Sequence, residues 1–128
     1  VGEAIKRYAL PIEEINLTNN GLKSRECRLL LDSLERHFGK LTSLNLSKNR
    51  LGQEGAHHLA ESIKNMKMLS HLDLSFNEIG DAGIAELARN IRDFGILEYL
   101  DISGNAIGKS GTQSTLIECG EALCYLLS

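Results

Sequence analysis

The sequence predicts an α/β chain: a short curved horseshoe with a parallel sheet on the concave face and helices on the convex face. Three observations predict it. One pattern, apolar at its first, fourth, sixth and eleventh positions with Asn at the ninth, recurs four times, beginning at residues 12, 41, 69 and 97. Between recurrences lie apolar residues at helical spacing. The 128 residues also contain 22 Leu against one Pro, no Trp and six aromatics, which suits repeated small units better than a single interior of large interlocking side chains.

Residues 1–10 read as the tail of an earlier helix. Ile5 stands seven before Ile12 as Leu34 stands seven before Leu41, and Pro11 closes the segment. The first strand motif runs Ile12-Glu-Glu-Ile15-Asn-Leu17-Thr-Asn-Asn20-Gly-Leu22. Its alternation of apolar and polar residues predicts a short strand with one buried face. A helix carrying Cys27, Leu30, Leu31 and Leu34 follows, with His37 near its end, where a cation suits the helix dipole. The second motif, Leu41 to Leu51, leads to a helix with Ala56, Leu59, Ala60 and Ile63 on one side. The third, Leu69 to Ile79, leads to Ile84, Leu87, Ala88 and Ile91 at the same spacing. The fourth, Leu97 to Ile107, is followed by a divergent helix at about 113–127 whose stripe shifts to Leu116, Gly120, Leu123 and Leu127. Strand and helix alternating in one sense require a parallel sheet with the helices on one side. Strands stack about 4.8 Å apart and helices about 8–10 Å, so the stack bends with the sheet inside the curve.

The motif L-x-x-L-x-L-x-x-N-x-L, four times in one frame at steps of 29, 28 and 28 residues, resembles the leucine-rich repeat family. The continuations Leu51-Gly52-Gln-Glu-Gly55, Ile79-Gly80-Asp-Ala-Gly83 and Ile107-Gly108-Lys-Ser-Gly111 are similar to its ribonuclease-inhibitor-like class. The resemblance covers nearly the whole chain and implies one leucine-rich repeat solenoid domain, residues 1–128, of about four repeats. The mid-helix start and the lack of a polar terminal cap read as a fragment of a longer chain.

Composition narrows the function. Fourteen Lys and Arg against seventeen Asp and Glu give a net charge of −3, which disfavours a broad nucleic-acid footprint. No apolar run is long enough for a membrane helix, and the first ten residues lack a secretory layout. Cys27, Cys119 and Cys124 form no disulfide or zinc framework, so reduced thiols and a cytoplasmic location are expected.

The four motif asparagines, Asn20, Asn49, Asn77 and Asn105, are expected to form a structural ladder satisfying backbone groups of neighbouring coils. Gly52, Gly80 and Gly108 lack the order of a phosphate-binding loop and are ascribed to close approach of coils. No nucleophile motif is present. His57 and Glu61, four apart with His58 between, are too few for zinc and read as a solvated face. Asn16-Leu17-Thr18 and Asn45-Leu46-Ser47 are formal glycosylation sequons lying within strands. No catalytic, cofactor-binding or metal residue is therefore expected.

The remaining surface is the concave sheet face, where outward strand positions form columns. The first column is Glu14, Ser43, His71 and Tyr99; the second is Asn16, Asn45, Asp73 and Asp101; the third is Thr18, Ser47, Ser75 and Ser103. Lys48, Arg50, Phe76 and Glu78 lie just beyond. Partner-binding candidates are Asn45, Lys48, Arg50, His71, Asp73, Phe76, Tyr99 and Asp101. Asp73 and Asp101 would attract a cationic partner, and Phe76 is either an exposed anchor or folded over its own turn.

These features predict a non-catalytic protein–protein interaction module of an intracellular scaffold or regulatory protein, with no nucleic-acid or membrane partner. The resemblance also admits a regulatory segment of the GTPase-activating or NOD-like-receptor type, and a purely structural array is the third reading. Self-association through uncapped ends or the C-terminal helix is a further alternative.

Overall fold

The computed structural model describes residues 12–91 and 97–107. Within them the chain alternates strand and helix: β1 (Glu14–Asn16), α1 (Ser24–Leu34), a 3-10 turn (Glu35–His37), β2 (Ser43–Asn45), α2 (Gly52–Ile63), β3 (His71–Asp73), α3 (Gly80–Ile91) and β4 (Tyr99–Asp101). The terminal helical segments expected at 1–10 and 113–127 lie outside the described residues, as do Gly108, Cys119 and Cys124.

The four strands form one parallel sheet in sequence order. Register follows the repeat: Ile15 pairs Leu44, Leu44 pairs Leu72, and Leu72 pairs Leu100. Each strand is regular for three residues only, yet the ladder continues past it. Leu17, Leu46 and Leu74 donate their N–H groups to the carbonyls of Asn45, Asp73 and Asp101 at 2.8–2.9 Å. Parallel strands need a crossover between them, and here each crossover is a helix.

The core lies between sheet and helices. Leu44, Leu46, Leu72 and Leu74 from the strands meet Ala56, Leu59, Ile63, Ile84, Leu87 and Ile91 from α2 and α3, all buried. Alternation in the strands and the 3, 1, 3 spacing in the helices aim both sets at the same layer. In the end coils Ile12, Ile15, Leu17, Leu97, Leu100 and Ile102 are only partly buried, because a solenoid coil buries its apolar face between two neighbours. Leu30 and Leu34 of α1 are likewise only half-buried, while Cys27 and Leu31 are fully enclosed.

The asparagines knit the coils together. Asn49 Nδ2 donates to the carbonyls of Leu17, Leu46 and Ser47 at 3.0, 2.8 and 3.2 Å, while its Oδ1 accepts the N–H groups of Asn20 and Leu22. Asn105 repeats the arrangement one coil from Asn77. Asn20 is exposed, and its Nδ2 donates to Thr18 in its own turn.

The glycines correct the sequence reading. A side chain at Gly52 would meet nothing within 4 Å; that residue is required instead by a left-handed backbone, φ +65°, as is Gly80 at +77°. Close approach falls on the next glycine of each helix. A Cβ on Gly83 would press on the Ile79 side chain and crowd Ala56 of α2, so glycine there lets α3 lie close to α2.

Candidate functional site

The strand register places the outward residues in rows. Glu14, Ser43, His71 and Tyr99 are successive partners across the sheet, and so are Asn16, Asn45, Asp73 and Asp101. Both rows face away from the helices because the alternate residues Ile15, Leu44, Leu72 and Leu100 face the core.

The second row organises the turns. Asn45 Oδ1 accepts the Ser47 N–H at 3.0 Å and the Ser47 hydroxyl at 2.7 Å. Asp73 does the same with Ser75, at 3.0 and 2.7 Å. Asp101 does so with Ser103, at 2.9 and 2.6 Å. Ser47 and Ser75 are buried, which withdraws the middle two of the third row from the surface, while Thr18 and Ser103 stay exposed. The Ser103 hydroxyl and N–H hold the Asp101 carboxyl below the usual carboxylate range.

His71 and Tyr99 are both exposed, and their rings stack with centroids 6.0 Å apart and planes 20° from parallel. The Tyr99 hydroxyl lies 3.5 Å from Asp101 Oδ2. The negative charge of Asp101 raises the phenol pKa, with burial and Asp73 adding to it, so Tyr99 stays protonated at neutral pH. His71 Nδ1 lies 2.9 Å from the Ser70 hydroxyl, which fixes the ring's orientation.

Phe76 sits in the turn after β3 with φ +57°, a left-handed conformation that is costly for a bulky residue. Asn19 and Lys48 hold the same conformation one and two coils earlier. The Phe76 N–H bonds to the Ser103 carbonyl at 2.9 Å, which holds the turn. Its ring covers Gly104 of the next coil, where a Cβ would collide with it. The ring therefore lies against the neighbouring coil, not its own turn, and remains 55% exposed.

The structure thus brings together His71, Asp73, Tyr99 and Asp101 on β3 and β4, with Asn45 beside Asp73 on β2 and Phe76 at the turn edge. Lys48 is exposed in the turn after β2. Arg50 pairs its backbone with Lys23 at the entry to α1, beyond the sheet. The sequence reading missed the seat Gly104 provides for Phe76; a bulky residue and a glycine at the same position of consecutive repeats was the signal.

It also missed the partner of His57. Glu86 of α3 reaches His57 Nδ1 at 2.7 Å, while Glu61 of α2 lies 3.5 Å from Nε2. The bond to Glu86 raises the imidazole pKa. His58 lies 3.9 Å from Glu54. His57, His58 and Glu61 border a groove of about 280 Å3 with Arg28, Leu31, Asp32 and Ser62. Among the described residues no group of three or more His, Cys, Asp and Glu is placed to hold a metal ion. Among those residues no helix is long and apolar enough to cross a membrane. The Cys27 thiol is pushed up to about 11 by burial, which removes it from nucleophilic chemistry near neutral pH.

A family profile described as Leucine Rich repeat matches residues 40–60, 65–88 and 97–114. FERM domain-containing protein C of Dictyostelium discoideum is 36% identical over 61 residues, which are 48% of this chain and 4% of that protein's length. Among solved structures, the tropomodulin C-terminal domain from Caenorhabditis elegans superposes with a TM-score of 0.57 at 14% identity, covering 98% of this chain and 90% of that one. At that identity the likeness concerns the fold alone.

Proposed function

Because the chain belongs to the leucine-rich repeat family, whose repeats generally mediate protein–protein contact, we propose that it is a non-catalytic interaction module of an intracellular scaffold or regulatory protein, one segment of a larger chain. Its partner docks on the concave face at β3 and β4 and on the turn beyond them. One observation carries this reading. In a chain with only six aromatics, Phe76 and Tyr99 are 55% and 47% exposed on the same side of adjacent coils, beside an exposed His71. Exposed aromatics with a polar rim are what binding hot spots are made of. The brief match to a far longer relative suits a module embedded in a multidomain protein.

A photo-crosslinking amino acid at Tyr99, compared with one at the helix-side residue Lys64, tests the proposal in cells that express the parent protein. A discrete protein captured from position 99 but not from 64, and lost when Phe76→Ser is added, is the expected result. Identical capture from both positions, or none from 99, would leave only the purely structural array.

A further inference from the structure

The stacked pair on β3 and β4 and the row beside it differ in kind. His71 and Tyr99 present an exposed aromatic step. Next to it, Asp73 and Asp101 are direct partners in the sheet register, one strand apart. Like charges opposite one another destabilise a sheet, so this pairing needs a reason.

The turn does not supply one. Asn45 makes the same two bonds to Ser47, at 3.0 and 2.7 Å, that Asp73 makes to Ser75. An amide oxygen suffices, and Asn occupies this position in the first two coils. The turn geometry therefore does not require the negative charges of the last two coils, although the Ser103 bonds favour the ionised form of Asp101. Nor are they neutralised within it. His57 and His58 form ion pairs on the helix side, and among the described residues no Lys, Arg or His pairs with either aspartate. Each aspartate commits Oδ1 to its serine, and Asp101 Oδ2 has only the distant Tyr99 hydroxyl.

Resting on the interaction reading above, we propose that the β3–β4 face binds an extended protein segment through an arginine side chain, its guanidinium lying on the His71–Tyr99 step and forking to the Asp73 and Asp101 carboxylates. Charge complementarity selects a cation, and the aromatic step selects among cations. A planar guanidinium can stack and donate in parallel at once, whereas a lysine ammonium offers one strongly hydrated point charge. Phe76 and its seat on Gly104 give the segment's apolar neighbours a place to rest at the turn edge.

The test uses labelled peptides alternating serine with arginine, with lysine or with glutamate, and the D73N/D101N double variant, measured by fluorescence anisotropy and by thermal unfolding. The arginine peptide is expected to bind, several-fold more tightly than the lysine peptide, with no binding of the glutamate peptide. In D73N/D101N its affinity falls about tenfold or more, as expected for loss of charge-assisted bonds, while the melting temperature changes little, because the amide oxygen keeps both bonds to serine. Arginine-peptide affinity unchanged in the double variant, equal affinity for lysine, or no binding of either cationic peptide each overturns the proposal. A large fall in melting temperature would overturn the claim that the turn does not need the charges. Failure of every peptide alongside a discrete crosslink from position 99 would refute the arginine assignment and leave the interaction reading standing.

Discussion

Replacing Asn77 by Asp tests the idea that the ladder depends on a donor at one atom. The side chain is 0% exposed, and its Nδ2 donates to the carbonyls of Leu46, Leu74 and Ser75 at 2.8, 3.0 and 3.2 Å. Its Oδ1 accepts the Leu51 N–H at 3.5 Å, a bond an aspartate retains. The substitution is isosteric, so it leaves packing alone and turns one donor into an acceptor facing three acceptors. Loss of the two shorter bonds costs about 1–3 kcal/mol. Placing a carboxylate in that buried, electronegative site adds about 2 kcal/mol or more before protonation relieves it. A total of about 3–5 kcal/mol is expected at pH 7, a large share of the ~6–19 kcal/mol available to a chain of this length. Burial and the three carbonyls raise the new carboxyl's pKa in the folded state above its unfolded value near 3.9. The deficit is therefore greatest above the folded pKa and shrinks as pH falls through it, because the folded state holds the proton more tightly. Urea unfolding followed by circular dichroism at pH 7 and pH 4.5 measures this. Asn16→Asp is the control: the same chemical change, at a position whose Oδ1 accepts the Thr18 N–H and whose strand partner is the neutral Asn45, costs under about 0.5 kcal/mol. Equal losses at 16 and 77, or a deficit at 77 that does not diminish in acid, would refute the donor argument.

Two further outcomes follow from the helix layer. Gly83→Ala forces a methyl against Ile79 and Ala56 and is expected to destabilise by about 1–3 kcal/mol despite alanine's better helix propensity, whereas Gly39→Ala, with nothing within 4 Å, changes stability little; parallel urea titrations separate them. The His57–Glu86 bridge joins α2 to α3 with a raised imidazole pKa, so its stabilisation is fully present below the unfolded pKa near 6.5 and is lost as pH rises through the folded value. The melting-temperature gap between the native chain and Glu86→Gln should then be widest near pH 6 and close toward pH 8, and a gap independent of pH would rule the bridge out as its source.

Much of the fold was legible before any coordinates. The period located all four strands, and the 3, 1, 3 spacing picked eight buried residues of α2 and α3, because burial repeats wherever coils stack alike; it left out Gly55, Asp81, Gly83 and Ala85, which are buried too. The first helix was legible less sharply: Leu30 and Leu34 share the pattern yet are only half-buried, since the pattern does not say how far a neighbour covers an end coil. The glycines were misassigned because a sequence shows that a side chain is absent without showing whether backbone conformation or a neighbouring coil demands it. At the candidate site, strand alternation gave the rows outright. It did not give the tilt that stacks His71 on Tyr99, the lean of Phe76 across Gly104, or the reach of Glu86 to His57.

The sequence by itself determined everything that a one-dimensional repeat dictates: strand order, register, which faces are buried, and which residues share a row. Tertiary structure alone decided which polar groups in those rows are already occupied. Asn45, Asp73 and Asp101 share a column and a bond to serine, yet only the last two carry a charge the turn does not need. That distinction depends on hydrogen-bond geometry at single oxygen atoms, which residue identity and spacing do not encode.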